Sequence, residues 1–274
     1  MKGYNTHYYK GNTLSSLRST FLSIVSLFLL TAYSTTQAES VHIAVASNFT
    51  HTMKELITAF EKQSPHTIKA SYGSSGKIYA QIKHGAPFDI FFSADQSKPA
   101  LLFNQGLTHK NKPFTYAFGA LALWSNNPQF KGQDLKQKLQ SGEFNKLALA
   151  NPKLAPYGLA AIDVLDNLNL RETTKNKWVK GENIAQTYQF VASANADLGF
   201  IALSQVIQQQ SRSDTWAIPS HLHTPIRQDA VLLNTQHPNT MENRQAATEF
   251  LQFISGVKAQ AIIQSYGYTT HDVN

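Results

Sequence analysis

Cysteine is absent from all 274 residues. That excludes a disulfide scaffold, a thiolate nucleophile and a cysteine-ligated zinc or iron–sulfur site. It also excludes a lipid-modified cysteine at an export cleavage site. Charge is sparse: charged residues make up 15% of the chain and hydrophobic residues 42%, a balance that suits a packed core and not a disordered segment. The formal net charge is +7, but three of the cations lie in the first 38 residues and no basic run follows them. Nothing in the charge pattern calls for nucleic acid. Long apolar runs are missing too. The most apolar stretch, FLSIVSLFLLTAYS at residues 21 to 34, falls short of the ~20 residues that span a bilayer. Lys2, Lys10 and Arg18 precede it without an acid, and TTQA ending at Ala38 follows it. This is the layout of a cleaved secretory signal peptide over residues 1 to 38. An exported chain without a lipid anchor or a second span is expected to be soluble in the periplasm.

What is present is an alternation of strand-like and helix-like runs. VHIAVAS is β-rich, and in the run after it Met53, Leu56, Ile57 and Phe60 form one helical stripe. TIKASY, then GKIYAQIKHG closed by Gly85, then FDIFFSAD, then KPALLFNQG ending at Gly106 repeat the pattern. NKLALANP reads as a strand and APYGLAAIDVLDNLNL as a helix opened by Pro156. GENIAQTYQFVASANAD reads as a further helix and LGFIALSQV as strand then helix. Ala246, Ala247, Phe250, Leu251 and Ile254 stripe the first of two closing helices. Such an order predicts an α/β fold with mainly parallel sheets flanked by helices. TYAFGALALWS and HTPIRQDAVLL are the candidate crossings between two domains.

The stretch SYGSSGKIY is the most suggestive for chemistry. Gly76-Lys77 matches the end of a nucleotide P-loop, but Ser71 stands where its first glycine belongs and Ile78 where its hydroxyl belongs. The remaining reading is a strand-to-helix turn. Its free N–H groups, with the hydroxyls of Ser74 and Ser75, would hold a small anion. The alternative is that the serines merely cap the helix. The same construction recurs at Ser47-Asn48, around Tyr157, and near Asn183 and Ile184. Ligands of open α/β sheets bind beyond the carboxyl ends of strands, so several such turns facing one point would cage a dianion.

Rival constellations are thin. Ser47 and Ser75 lack the G-x-S-x-G setting of a nucleophile. His221 and His223 could share one face of a strand as metal ligands, but no third ligand is near them in sequence. Asp89, Asp95 and Asp229 could suggest a carboxylate site, but Asp89 and Asp95 bound an apolar strand and are expected to serve turns or inter-domain contacts. Lys77 is expected to be a solvated helix side chain that screens an entering anion.

Taken together, VASNFTHTM, SYGSSGKIYAQIKHGAPFDIFFSAD, LALANPKLAPYGLAA, ANADLGFIALSQV, PIRQDAVLL and IIQSYGY resemble the periplasmic molybdate-binding proteins of ABC import systems. The resemblance spans residues 41 to 268. It implies a two-lobed periplasmic-binding-protein fold with the ligand in the cleft. The lobes are expected at 39–117 with a return at 226–274, and at 118–225. It implies molybdate or tungstate as cargo, with sulfate or another tetrahedral oxyanion as the alternative and a secreted serine-dependent hydrolase as the more distant one. The implied binding residues are Ser47, Asn48, Ser75, Tyr157 and Ile184. Some relatives place a tyrosine donor after the LGF strand; Ala202 stands there in this chain, and Tyr157 is the candidate to replace it. The expected partners are the oxyanion and a membrane permease, with no cofactor, no catalysis and a monomeric chain.

Overall fold

The computed structural model describes residues 1–6, 38–110, 112–207, 214–234 and 240–270. The signal-peptide expectation falls mainly on residues 7–37, outside the described residues. Residues 1–6 carry no helix or strand, and the folded body begins at Ala38. No helix among the described residues is long and apolar enough to cross a membrane.

The chain opens with β1 (Ser40–Ala46), α1 (Thr50–Glu61), β2 (Thr67–Gly73), α2 (Ser75–Lys83), β3 (Ile90–Phe92), α3 (Ser97–Asn104) and β4 (Phe114–Gly119). It continues with β5 (Leu121–Trp124), α4 (Leu135–Ser141), β6 (Leu147–Ala150), α5 (Pro156–Asn167), α6 (Arg171–Thr174), β7 (Trp178–Gly181), α7 (Ile184–Ala192), β8 (Leu198–Ala202) and β9 (Thr215–Ala217). It closes with β10 (Ile226–Leu232), α8 (Thr240–Ser255) and α9 (Val257–Ser265).

Two five-stranded sheets result, ordered β2-β1-β3-β10-β4 and β7-β6-β8-β5-β9. In the first, β1 pairs in parallel with β2 and β3, and β10 runs against both β3 and β4. In the second, β6 pairs in parallel with β7 and β8, and β5 runs against both β8 and β9. Each sheet is therefore mainly parallel with one reversed strand. TYAFGALALWS, read as one extended apolar run, breaks at Ala120 into β4 of one sheet and β5 of the other.

Each lobe has its own core. Met53, Leu56 and Phe60 of α1 pack with Ala246, Ala247, Phe250 and Ile254 of α8 on one face of the first sheet. Ile78, Ile82 and Leu102 cover its other face. Burying such side chains stabilises each lobe by roughly 1.5–3 kcal/mol apiece. The carboxyl ends of β1, β2, β3, β6 and β7 are thereby held as rigid mounts for the turns that follow them.

Candidate functional site

In the first lobe, β1 passes into a short 3-10 turn, Ser47–Phe49, whose three residues are all buried. β2 passes into α2 through Ser74 and Ser75, also both buried. Neither serine caps the helix through its side chain. Ser74 occupies the cap position in an extended conformation but makes no cap bond, and its hydroxyl has no hydrogen-bond partner. The Ser75 oxygen instead accepts from the Ala94 N–H at 2.9 Å, just beyond β3. That bond occupies the oxygen and leaves the hydroxyl proton free to be donated elsewhere.

In the second lobe, Pro156 starts α5 with Tyr157 next, fully buried. Ile184 is the first residue of α7 and is also buried. The Asn183 side chain before it accepts from Gln186 N–H at 3.0 Å, so the cap serves the third helical residue and leaves the N–H groups of the first two without an intrahelical partner. Gln205 holds the same turn by donating Nε2 to the Ile184 carbonyl at 3.2 Å.

The two sets of turns meet. Ala46, Ala94, Ala155, Tyr157 and Ile184 belong to one buried cluster that draws on both sheets. Tyr157 and Ile184 are themselves candidates, Ala46 adjoins Ser47, and Ala94 donates its N–H to Ser75. α7 also touches the Ser47–Phe49 turn across the cleft. Direct bonds span the cleft at its mouth. Gly76 N–H donates to the Leu154 carbonyl at 2.9 Å, and Lys77 Nζ pairs with Glu182 Oε1 at 2.7 Å. A Cβ at position 76 would lie 3.0 Å from that carbonyl oxygen, so glycine permits the approach. Lys77 is an exposed helix side chain, as expected from the sequence, and in addition forms an ion pair across the cleft.

Behind the turns lies a buried polar network. Asn48 Nδ2 donates to Gln228 Oε1 at 2.9 Å and to Tyr268 Oη at 3.1 Å. The Asn48 carbonyl accepts from Tyr268 Oη at 2.9 Å and from Ser204 Oγ at 3.2 Å. Tyr116 donates to Gln228 Oε1 at 3.1 Å. The Asn48 side chain is therefore committed to this network, and its N–H is the group left for a ligand. The Tyr157 hydroxyl faces Tyr268 and Asn48 without a hydrogen bond of good geometry. Burial pushes the Tyr157 and Tyr116 phenols well above their ordinary value of 10.0, with Tyr268 the next contributor in both. Burial also pushes Tyr268 up to about 12. All three stay protonated through the neutral range, and none of the five candidate residues carries a charge. An assembly of neutral donors at strand ends and helix starts can bind an anion without an accompanying proton or cation.

Sequence reading missed Gln228, Tyr268, Ser204 and Tyr116 as members of this assembly. The signal for Gln228 was a long polar side chain within the apolar strand IRQDAVL, at a buried position. The rival sites do not assemble. His221 lies in a 3-10 turn, Ser220–Leu222, and is exposed, and His223 follows that turn with Nδ1 2.8 Å from the Thr224 carbonyl. They do not share a strand. Among the described residues no group of three or more acidic or histidine side chains could hold a metal ion, and no histidine is bonded to Ser47 or Ser75. Asp89 accepts from His42 N–H at 2.7 Å and from Asn243 Nδ2 at 3.1 Å within the first lobe. Asp95 pairs with Lys98 at 2.6 Å, and Asp229 accepts from Thr115 Oγ1 at 2.7 Å.

Comparison with known proteins gives matches over most of the chain. The family profile described as bacterial extracellular solute-binding protein matches residues 41–269. A molybdate-binding protein ModA of Azotobacter vinelandii is 44% identical over 234 residues, covering 85% of this chain and 90% of the relative. One from Rhodobacter capsulatus is 43% identical over 236 residues, covering 85% and 89%. The solved periplasmic molybdate-binding protein of Azotobacter vinelandii superposes with a TM-score of 0.78 at 37% identity, over 85% of this chain and all of that one.

Proposed function

The chain belongs to the bacterial extracellular solute-binding protein family, and from its likeness to the molybdate-binding relatives we propose that it captures molybdate, or its near-isostere tungstate, and delivers it to an ABC permease. The observation that carries the reading is the meeting of uncharged donor turns from both lobes at one buried point. Ser47 and Ser75 donate through their hydroxyls and first-turn N–H groups. Asn48, Tyr157 and Ile184 donate through main-chain N–H, because the Asn48 amide is already engaged and the Tyr157 hydroxyl faces the network behind. Taking a dianion out of water is costly. Several charge-assisted hydrogen bonds, each about twice as strong as a neutral one, offset that cost. The positive ends of α2, α5 and α7 add to the same effect.

In this reading the first lobe runs to Gly119, two residues beyond the expected bound, because β4 stays paired to β10 that far: residues 39–119 with 226–274 form one lobe and residues 120–225 the other. An open form admits the anion, and closure brings Ile184 and Tyr157 against it while Gly76 and Lys77 bridge the cleft mouth. The closed form is the one that docks on the permease. The role needs no cofactor and no covalent step, and a monomer in the periplasm, released by cleavage after Ala38, suffices for it.

A thermal-shift series with molybdate, tungstate, sulfate and phosphate tests the cargo. A ligand that binds only the folded state raises the melting temperature with concentration, by about 2.7 kcal/mol of stabilisation at 100 times Kd. Molybdate and tungstate are expected to shift it at micromolar concentrations. A shift with sulfate and none with molybdate sinks the reading.

A further inference from the structure

Gly119 is the last residue of β4, opposite Ile226 of β10, where the chain leaves the first sheet for the second. Its backbone is not left-handed, so an alanine there meets no conformational penalty. Space is the constraint. A Cβ at position 119 would lie 2.1 Å from Tyr157 Oη, 3.0 Å from Tyr157 Cζ and 2.8 Å from Gln228 Nε2. Tyr157 Oη and Gln228 Nε2 are both buried without a hydrogen-bond partner, although buried polar groups are nearly always paired. The Gln228 amide cannot swing to find one, because Asn48 and Tyr116 hold its Oε1. A register shift between Gln228 and Asp229 in β10 accompanies the burial of both side chains, as a bulge that re-aims its residues would.

We propose that Gly119, with Gln228 beside it, is a closure stop: a seat on the first lobe for the tip of Tyr157 from the second. The contact lies at the crossover, so it sets the angle at which the lobes come to rest. An angular error there grows with distance along the cleft. Tyr157 carries both functions on one helix start. Its N–H faces the anion in the proposed function, and its ring tip fixes how far the lobe bearing it can travel. Gly119 touches no ligand and acts as a positioning residue. The inference rests on the oxyanion reading for its affinity readout, and on geometry for the rest.

The absence of cysteine allows a clean test. Lys77→Cys and Glu182→Cys, spin-labelled, report the cross-cleft distance. In this background the parent, Gly119→Ala, and Gly119→Ala with Tyr157→Phe are titrated with molybdate. Gly119→Ala is expected to lengthen the liganded cross-cleft distance and weaken binding about tenfold or more, as overpacking of a tight contact does. Its ligand-free melting temperature should fall only by the cost of the contact with Gln228 inside the first lobe, a loss that Tyr157→Phe leaves unchanged. Removing the Tyr157 hydroxyl in the same chain is expected to recover at least part of the changes in distance and affinity, since the clash is with that oxygen. A general folding defect would show no such rescue. Gly119→Ala with parental distance and affinity, or a loss that Tyr157→Phe does not relieve, overturns the stop. Should the parent chain not respond to molybdate, the cargo reading falls instead. The three chains are then compared with whichever of tungstate, sulfate or phosphate closes the parent, and the same distances decide the stop.

Discussion

The two lobes share one plan. Each sheet has three parallel strands together and a reversed strand in fourth place. Each lobe gives its fifth strand, β4 or β9, immediately before the chain crosses to become the reversed strand of the other. They differ in what they present at the cleft. The first lobe offers hydroxyls, with Ser47, Ser74 and Ser75 all buried. The second offers main chain, at Tyr157 and Ile184, from helix starts whose side chains are committed to packing. In the proposed cage the hydroxyls therefore come from the first lobe alone, while both lobes give main-chain N–H groups. Mutation should expose the two halves in different ways.

The largest effect is expected at Ile184. Proline is tolerated at the first helical position because the N–H there has no intrahelical partner. Ile184→Pro therefore keeps the helix start and removes the donor along with the packing of the buried side chain. Loss of a hydrogen bond to a charged group is worth about 1.5–3 kcal/mol, so molybdate affinity should fall roughly 10- to 100-fold. Ile184→Ala removes similar packing and keeps the N–H, and calorimetry should find it much closer to the parent. Equal losses in the two variants would remove the main-chain assignment of the second lobe.

Ser75→Ala comes next. It deletes a side-chain donor, and it strands the Ala94 N–H that the oxygen now accepts from at 2.9 Å. Affinity should drop about tenfold, and the ligand-free melting temperature should fall as well, because a buried N–H loses its partner. Unchanged affinity by calorimetry would take Ser75 out of the site.

The smallest effect is expected at the cleft mouth. Lys77 and Glu182 are 53% and 45% exposed, and exposed ion pairs are worth about 0–1 kcal/mol. A double-mutant cycle on molybdate dissociation should give a coupling within about fivefold that shrinks as salt rises. A large, salt-insensitive coupling would mean that the pair is a principal latch and that the donors behind it matter less.

Much of this was legible in the residues. The stripe of Met53, Leu56 and Phe60 carries its own periodicity, and Met53 and Phe60 are in the core. The serines of the first lobe declared themselves as hydroxyl-rich turns between a strand and a helix. Other parts were not legible. β7 and β9 have only four and three residues, too short for an alternation to stand out. The helix expected over GENIAQTYQFVASANAD starts only at Ile184, because the Trp178–Gly181 strand and the Asn183 cap come first. Gln228, Tyr268, Ser204 and Asn48 come from four separate places in the chain, and no local pattern records that they bond to one another.

The sequence by itself determined the alternation of strands and helices, the absence of thiol chemistry, and which turns carry hydroxyls. These are local properties, set by the side-chain periodicity and composition of a few consecutive residues. Only the tertiary structure decided that Lys77 bridges to Glu182, that the Asn48 amide is spent on Gln228 and Tyr268, and that Tyr157 turns its hydroxyl to Gly119. Each of these depends on residues far apart in the chain that meet only through three-dimensional packing, within one lobe for Asn48 and between lobes for Lys77 and Tyr157. A side chain's donors go to whichever partner the packing brings within about 3 Å.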